Sequence, residues 1–422
     1  MTDRSTADGG PGTVAIDRIA AGGDGVGTLG DGRRIFVPRT APGDVIEVGD
    51  IRLADRYARG RVARLVTPSP DRVEPRCGHY QRDRCGGCQL QHMSTPAQET
   101  ARRGFVGDAL RRLGRLDVAD PEIDPAENQW SYRTKISIAR GPHGFGFRRL
   151  HEPNAIFQLV RCEIAAEPLN TLWSALREEI RSLPATTERV TLRQGRGGGL
   201  HVIVKVTGSE AWTRAKPVAA ALVAKGQAAT LWWQPEGGVV RAVAGGESTF
   251  PATVFEQVHP AMGDRVRRYV VDSLGPVKGL LGWDLYSGIG ETGEMLAARG
   301  ASVESIELDR RAVEEAIRRN GAGAAVRPIV GKVEDEVGKL AAPDFVVANP
   351  PRAGMDARVI DALRRSRPRA IRYISCDAPT LARDVKRLQA PGGPVYRVTD
   401  IRAFDLFPQT AHVETVLGLE LS

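Results

Sequence analysis

The chain has 422 residues, and its content of 41% hydrophobic and 26% charged residues is typical of a soluble globular protein with two or three domains. It carries 59 lysine and arginine residues against 51 aspartate and glutamate residues. The resulting charge of +8 favours a nucleic-acid partner without requiring one, since GC-rich genomes also produce arginine-rich chains. No apolar stretch is long enough to cross a membrane, and the N-terminus lacks the apolar core of an export signal. We therefore expect a cytoplasmic, monomeric protein with no membrane partner.

The N-terminal residues predict a short lead followed by a small barrel. Residues 1–11 are polar and glycine-rich, and we expect them to form a disordered lead. Over 12–68 the runs TVAIDRIA, RRIFVPRT and DVIEVGDIRLA alternate in polarity with the period of a strand, and glycine turns separate them. This pattern predicts an OB-like β-barrel of about five strands.

A cysteine-rich loop opens the next segment, 69–254. Cys77, Cys85 and Cys88 lie close together in PRCGHYQRDRCGGCQLQH, and Cys162 stands alone in LVRCEI. Thiolates packed this closely are typical ligands of a soft metal, which leaves zinc and iron–sulfur as the candidates.

The remainder of 69–254 predicts a mixed α/β central domain. A helix is expected over 94–116, with its arginines, Arg102 among them, on a solvated face. The runs KISIAR, GFGFRR, RVTLRQ and HVIVKV read as strands, and EPLNTLWSALREEIRSL reads as a helix.

From residue 255 to 422 strands and helices alternate. Four strands are predicted, and a helical pattern follows each of them; the strands are GLLGWDLYS, SVESIELD, DFVVANP and RAIRYIS. YRVTDIRAFD and HVETVLGLEL are predicted terminal strands. The order predicts a doubly wound, Rossmann-like α/β fold.

One turn of this domain has the features of a nucleoside site. The motif DLYSGIG, from Asp284 to Gly288 and Gly290, closes a strand and opens a helix, where glycines let a ligand approach the backbone. Glu307 ends the next strand, 19 positions after Gly288, and a carboxylate there can hold ribose hydroxyls. Together with the N-P-P turn that begins at Asn349, this arrangement favours S-adenosylmethionine over a dinucleotide.

Cys376 is the predicted nucleophile. It lies in YISCDAPTLARD, directly before a predicted helix, where the helix dipole should lower the pKa of its thiol. Glu414 is unusual for a different reason, because it stands alone among Val413, Val416 and Leu417. An apolar setting should raise the pKa of its carboxyl group.

These motifs resemble those of the RNA 5-methyluridine (uracil-C5) methyltransferase family, in the family's order and over nearly the whole chain. The barrel is similar to the family's TRAM domain, and WSYRTKISIAR is similar to the start of its central domain. FEQVHP is similar to the family motif whose glutamine contacts the cofactor. SCDAPTLARD and FPQTAHVE are the most specific matches. The resemblance implies a class I S-adenosylmethionine methyltransferase domain behind a barrel and a mixed α/β domain, acting on ribosomal or transfer RNA.

The resemblance also implies roles for individual residues. Cys376 would add to uracil C6 and Glu414 would remove the C5 proton. The cofactor contacts would be Gln257, Asp284, Tyr286, Gly288, Gly290, Glu307 and Asn349. Arg352 and Arg133 would orient the substrate, and a [4Fe-4S] cluster, rather than zinc, would be held by Cys77, Cys85, Cys88 and Cys162.

Departures from the family pattern leave alternatives open. Asn349 replaces the usual aspartate of D-P-P-R, and N-P-P also occurs in enzymes that methylate exocyclic amines. Loss of that charge would also fit an RNA-binding protein without activity. A methylthiotransferase that shares a barrel and a cluster would leave Cys376 without a purpose. The spacing of seven residues between Cys77 and Cys85 is longer than usual, which a loop tolerates.

Overall fold

A computed structural model of the protein describes residues 13–246, 254–320 and 325–422, so the predicted lead over 1–11 lies outside the described residues. The chain divides into two compact units. The first unit consists of Met1–Phe105 with Gln409–His412, and the second of Val106–Pro408 with Val413–Ser422.

The first unit contains the predicted barrel. Its strands are β1 Thr13–Ile19, β2 Asp24–Thr28, β3 Arg34–Pro38, β4 Val45–Leu53 and β5 Tyr57–Thr67. They close in the order β1-β2-β3-β5-β4 around apolar side chains such as Ile35, Val37 and Ile46. Alternation of buried and exposed residues along β1 gives the barrel its interior, as the period of two predicted.

The segment after the barrel is fastened to it by a buried carboxylate. Asp44 is fully buried, and its oxygens accept hydrogen bonds from both the Nε and the Nη2 of Arg72, each at 2.7 Å. The backbone N–H groups of Ala41 and Ser69 also donate to Asp44. Helix α1 Gly78–Arg82 and helix α2 Thr95–Arg112 follow.

Arg102 on α2 corrects an expectation. Arg102 was predicted to lie on a solvated face, but its side chain is fully buried and its Nη1 donates to the backbone carbonyl of Thr410 at 3.2 Å. Gln98, one turn earlier, donates to the side chain of Gln409 and accepts from its backbone N–H. This face of α2 therefore binds the returning segment Gln409–His412 of the first unit.

The central sheet of the second unit has seven strands. They are β7 Lys135–Gly141, β8 Gly144–Arg149, β9 Glu152–Gln158, β10 Thr187–Gln194, β11 Leu200–Val206, β12 Ala229–Gln234 and β13 Arg241–Ala244, in the order β13-β12-β11-β10-β7-β8-β9. Helix α3 Glu167–Glu178, a short 3-10 helix Ile180–Ser182 and helix α4 Ala215–Ala224 accompany them. Trp173 and Leu176 of α3 pack in one core with Val190 and Val202 of the sheet.

The second sheet has eight strands. They are β6 Glu122–Asp124, β14 Leu281–Leu285, β15 Ser302–Glu307, β16 Val326–Val330, β17 Phe345–Ala348, β18 Ala370–Ser375, β19 Tyr396–Phe404 and β20 Glu414–Leu421. Their order is β16-β15-β14-β17-β18-β20-β19-β6, parallel from β16 to β18 and antiparallel where β20 meets β18 and β19. The helices are α5 Pro260–Ser273, α6 Glu291–Ala298, α7 Arg310–Asn320, α8 Val333–Glu336, α9 Ala357–Ser366 and α10 Ala378–Leu388, with a 3-10 helix Val337–Lys339.

This sheet is buried on both faces, as a parallel sheet requires. Along β17, Phe345 and Val347 pack in one core while Val346 and Ala348 pack in the other. The alternating pattern after residue 255 is thus confirmed as a doubly wound fold. β6, which lies in the segment predicted as part of the central domain, pairs with β19 of this sheet instead.

Helices α4 and α5 were not predicted. Helix α5 offered a signal, since Pro260 stands in its first turn and Val266, Val270 and Val271 recur on one buried face. None of the helices that the structure describes is both long enough and apolar enough to span a bilayer.

Candidate active site

The strand order of the eight-stranded sheet reverses between β14 and β17, and the predicted nucleoside motif lies there. Leu285 at the end of β14 pairs with Ile306 of β15 on one side and with Ala348 of β17 on the other. The loops that begin at Tyr286, Glu307 and Asn349 therefore leave the same edge of the sheet. Ligands of open α/β sheets bind at such a switch point.

The glycine turn is shaped for close approach to a ligand. Gly288 has a φ of +57°, and a side chain added there would meet no atom within 4 Å, so open space lies beside the backbone. The N–H of Gly288 donates to Oε2 of Glu307 at 2.9 Å, and the N–H of Asp309 donates to Oε1 at 2.8 Å. The Glu307 carboxylate is thus oriented by two backbone groups beside the turn. Gly290, with a φ of +78°, is the N-cap of α6.

Asp284 organises the turn from beneath. It is 2% exposed and accepts a hydrogen bond from the N–H of Gly293 in the first turn of α6 at 3.0 Å. Burial raises the pKa of Asp284 to about 7, with nearby Glu307 raising it further and the Gly293 N–H opposing the shift. Asp284 therefore fixes the glycine turn to the helix that follows it.

A cavity beside this turn contains most of the other predicted cofactor residues. Gln257, Tyr286, Gly288 and Asn349 line it. The remaining lining residues are Phe255, Glu256, Gly263, Val266, Arg267, Ser287, Ile289, Glu291, Thr292 and Ile374. The open glycine backbone, the oriented carboxylate and this cavity fit a nucleoside-containing ligand such as S-adenosylmethionine.

Sheet register brings the predicted nucleophile and base together. In the antiparallel pair of β18 and β20, Ser375 is opposite Thr415. Cys376 directly follows Ser375, just beyond the end of β18, and Glu414 directly precedes Thr415, so the two residues lie at the same end of the strand pair. Opposed residues such as Ser375 and Thr415 have Cα atoms about 4.5–5.5 Å apart. Positions 38 residues apart in sequence are thereby made neighbours.

Electrostatics of this pair agree with one expectation and correct another. Burial raises the pKa of Glu414, which is 3% exposed, to about 8, as its apolar surroundings predicted. The pKa of Cys376 was expected to be lowered, but burial and the neighbouring Glu414 raise it. The expected lowering is therefore wrong, because Cys376 precedes Asp377, the N-cap of α10, and is half-buried beside a carboxylate.

The Arg352 guanidinium acts on both groups. It lowers the pKa of Cys376 and of Glu414 against the larger effect of burial. Arg352 is exposed and belongs to the loop that follows β17, next to Asn349 of the cavity. The site thus combines a thiol, a carboxyl group and a cation at one edge of the sheet.

Arg133 has a different location. Its backbone N–H donates to the carbonyl of Ile164, and its Nε donates to the carbonyl of Lys135, at the start of the central sheet. Asp384, which is fully buried on α10, had no predicted role. A signal for it exists, since Asp384 interrupts the apolar face that Leu381, Val385 and Leu388 form.

The cysteines proposed as metal ligands are spread over both units. Cys77, Cys85 and Cys88 are buried in the first unit, where the N–H of Gly87 donates to Sγ of Cys85 at 3.4 Å. Cys162 belongs to the second unit, where its backbone exchanges two hydrogen bonds with the side chain of Asn170. Across residues 13–246, 254–320 and 325–422, no three histidine, cysteine, aspartate or glutamate side chains are grouped so that they could hold a metal ion.

Comparison with known proteins gives consistent results. The tRNA (uracil-5-)-methyltransferase family matches residues 303–421. An uncharacterised RNA methyltransferase of Thermosynechococcus vestitus is 31% identical over 97% of this chain and 98% of its own length. One from Gloeobacter violaceus is 32% identical over 97% of this chain and 96% of its own.

A solved structure is similar over the same extent. The tRNA (uracil-54, C5)-methyltransferase of Pyrococcus abyssi, in complex with S-adenosyl-L-homocysteine, is 25% identical and has a TM-score of 0.73. The similarity covers 96% of this chain and all of the other.

Proposed function

Because the chain belongs to the RNA (uracil-C5) methyltransferase family, we propose that it methylates C5 of a uridine in structured RNA, with S-adenosylmethionine as the methyl donor. In this proposal Cys376 is the nucleophile and Glu414 is the base. The protein is an RNA methyltransferase that uses S-adenosylmethionine. The roles of individual residues and the identity of the RNA are the proposal.

Uracil C5 is too weak a carbon nucleophile to attack a methyl group unaided. The Cys376 thiolate adds to C6, and the electron pair of the C5–C6 double bond is delocalised as an enolate with density on C5. C5 then attacks the methyl group, and S-adenosylhomocysteine leaves. Glu414 removes the C5 proton, the double bond re-forms, and the bond from C6 to the Cys376 sulfur breaks.

The environment of Glu414 supports its role as the base. Once ionised, a carboxylate with a pKa of about 8 accepts a proton far more readily than an exposed one, since an ordinary glutamate has a pKa near 4.3. Arg352 stabilises the negative charge on Cys376 and on Glu414 as each develops. Because the uracil must reach a half-buried thiol, its base has to leave the RNA stack.

The observation that carries the proposal is the ladder in which Ser375 opposes Thr415, because it sets Cys376 beside Glu414. The test incubates the protein with RNA and labelled S-adenosylmethionine. Wild-type protein should produce 5-methyluridine and Cys376→Ser should produce none. Retained methylation in Cys376→Ser would instead favour an exocyclic amine as the acceptor, which Asn349 leaves open.

A second arm detects the covalent step directly. Fluorine at C5 cannot be removed as a proton is, so RNA containing 5-fluorouridine should remain bound to the wild-type protein through Cys376. We expect a denaturation-resistant protein–RNA band with wild type and none with Cys376→Ser. The mechanism would be overturned if wild type gave no band with the methyl donor present and with the fluorinated form of an RNA that the protein methylates.

Transfer RNA is the first substrate to test and ribosomal RNA the second. The matching family and the solved structure from Pyrococcus abyssi are both named for tRNA. Transcripts of both classes, assayed side by side with mapping of the methylated uridine, distinguish the two. RNA of neither class being methylated would contradict the proposed substrate.

We also propose, on the chemistry of their thiols rather than on a grouping of the described side chains, that Cys77, Cys85 and Cys88 of the first unit are ligands of a [4Fe-4S] cluster. Cysteine thiolates are the donors that such a cluster takes, and the Gly87 N–H donates to Cys85 Sγ as donors around cluster sulfurs do. Iron, sulfide and zinc are to be measured in protein purified without oxygen, for wild type and for Cys77→Ser. Zinc alone in wild type would replace the cluster with a zinc site, and absence of both metals would refute a metal centre.

A further inference from the structure

The loop that carries Arg352 is held by side chains of a single helix. Between Asn349 and Met355 the chain leaves β17 and passes beside α10, which begins just after Cys376. Thr380 Oγ1 donates to the carbonyl of Arg352 at 3.0 Å, and Arg383 Nη2 donates to the carbonyl of Ala353 at 2.7 Å. The two residues thereby fix consecutive carbonyl groups of the loop.

Asp384 binds the same loop from inside the protein. Its side chain is fully buried, and Oδ2 accepts from the backbone N–H of Met355 at 2.8 Å and from the hydroxyl of Tyr373 at 2.7 Å. Arg383 Nε donates to Oδ1 at 2.9 Å, which balances the buried charge. Since Tyr373 is on β18, three residues before Cys376, Asp384 joins the strand, the helix and the loop.

At Gly354 the loop lies so close to α10 that no side chain fits between them. The φ of Gly354 is +82°, and a Cβ built there would lie 2.3 Å from both Asp384 Oδ2 and Thr380 Cγ2. Neither atom belongs to a flexible, exposed chain end that could move aside at no cost. Only glycine fits, so the loop rests directly on the three side chains of α10.

We propose that Thr380, Arg383 and Asp384 are positioning residues that hold the Arg352 loop against the Cys376–Glu414 pair. This inference rests on the proposed function and adds to it a role for the T-L-A-R-D motif. One helix then follows the nucleophile directly in sequence and also fixes the cation beside it. A displaced loop would leave both acidic groups of the site without their nearby positive charge.

The consequence is measurable as a pH dependence, because Arg352 favours the thiolate of Cys376 against burial and Glu414. The rate at which the protein traps 5-fluorouridine RNA is to be measured against pH. Thr380→Val removes the hydroxyl donor while changing no charge, and Thr380→Ser retains it. We expect Thr380→Val to move the pH midpoint of trapping upward by about half to one pH unit, and Thr380→Ser to keep the wild-type midpoint.

A pair of charge variants on the same helix separates position from charge. Arg383→Gln and Lys386→Gln each remove one positive charge from α10, but Lys386 is exposed and Arg383 binds the loop. Only Arg383→Gln should shift the midpoint. Wild-type midpoints in both Thr380→Val and Arg383→Gln, while Cys376→Ser still traps no RNA, would refute the positioning role and leave the mechanism intact. Failure of wild type itself to trap RNA would overturn both.

Discussion

The two cysteine-bearing regions of the chain differ in what brings their functional groups together. At the edge of the eight-stranded sheet, Cys376 and Glu414 become neighbours because β18 and β20 pair in a defined register. In the first unit, Cys77, Cys85 and Cys88 fall within twelve positions of one another, yet the described residues form no grouping that could hold a metal.

Register in a sheet constrains the position of a side chain more tightly than closeness along a loop does. A one-residue slip of β20 would turn every side chain of the strand to the opposite face, so the buried pattern specifies the position of Glu414 strongly. A loop that includes only the five-residue helix α1 has no comparable constraint. The edge of the eight-stranded sheet, with Cys376 and Glu414, is therefore the region in which single substitutions give the clearest test.

The largest expected effect comes from removing the base. Glu414→Gln keeps the size of the side chain but cannot accept the C5 proton, so turnover should fall by about 10²–10⁴-fold. Because addition and methyl transfer precede that step, RNA joined to Cys376 and already methylated should accumulate. The measurement combines steady-state methylation with detection of the protein–RNA band on ordinary, unfluorinated RNA.

Glu420 supplies the matched control on the same strand. Its side chain is about half exposed and pairs with Arg372 at 3.2 Å, away from the cysteine. Glu420→Gln should therefore retain wild-type turnover. Equal losses in the two variants would show that the strand tolerates no such change, and full activity in Glu414→Gln would remove it from the mechanism.

The sequence was sufficient for the fold wherever periodicity was strong. The alternating runs of the barrel and the buried strands β14, β15, β17 and β18 appear where they were predicted, because burial on one or both faces leaves a clear pattern. The pairing of β6 with β19 joins strands over 270 residues apart and has no local signal. Helix α5, by contrast, was missed although its pattern was present.

The site was predictable in composition but not in electrostatics. The apolar neighbours of Glu414 were visible in sequence, and its raised pKa follows from them. The expected helix-dipole effect on Cys376 was outweighed by burial and by Glu414, which only the register of β20 places beside it. Asp384 was missed because its partners, Met355 and Tyr373, come from two other segments.

A second prediction concerns the stability of the first unit. Asp44→Asn leaves the partly buried Arg72 guanidinium without its charge partner, so the unit should lose about 1.5–3 kcal/mol of unfolding free energy. Burial alone would raise the pKa of Asp44, but Arg72 and the N–H groups of Ala41 and Ser69 overcome this and hold it below its usual value. Its contribution is therefore present at neutral pH and is lost as the pH falls below about 4.

Hydrogen exchange of the barrel strands at neutral pH measures this loss locally. Asp31, an exposed barrel carboxylate that hydrogen-bonds to Arg33, is the matched control, and Asp31→Asn should leave exchange unchanged. If the barrel amides of Asp44→Asn exchange as slowly as those of wild type, the Asp44–Arg72 pair does not fasten the segment before the cysteines to the barrel.

The smallest predicted effect returns to Glu414, through the pH dependence of unfolding. A folded-state pKa of about 8 lies above the ordinary value near 4.3, so between about pH 5 and pH 8 the folded protein holds a proton that the unfolded chain has released. Stability supplied by this group is present below that window and is lost as the pH rises through it. Glu414→Gln has no such proton, and its Tm should therefore decline less than that of wild type from pH 5 to pH 8, by a difference of a few degrees. Glu420→Gln should keep the wild-type slope, and parallel declines of wild type and Glu414→Gln would mean that the carboxyl group does not titrate in that range.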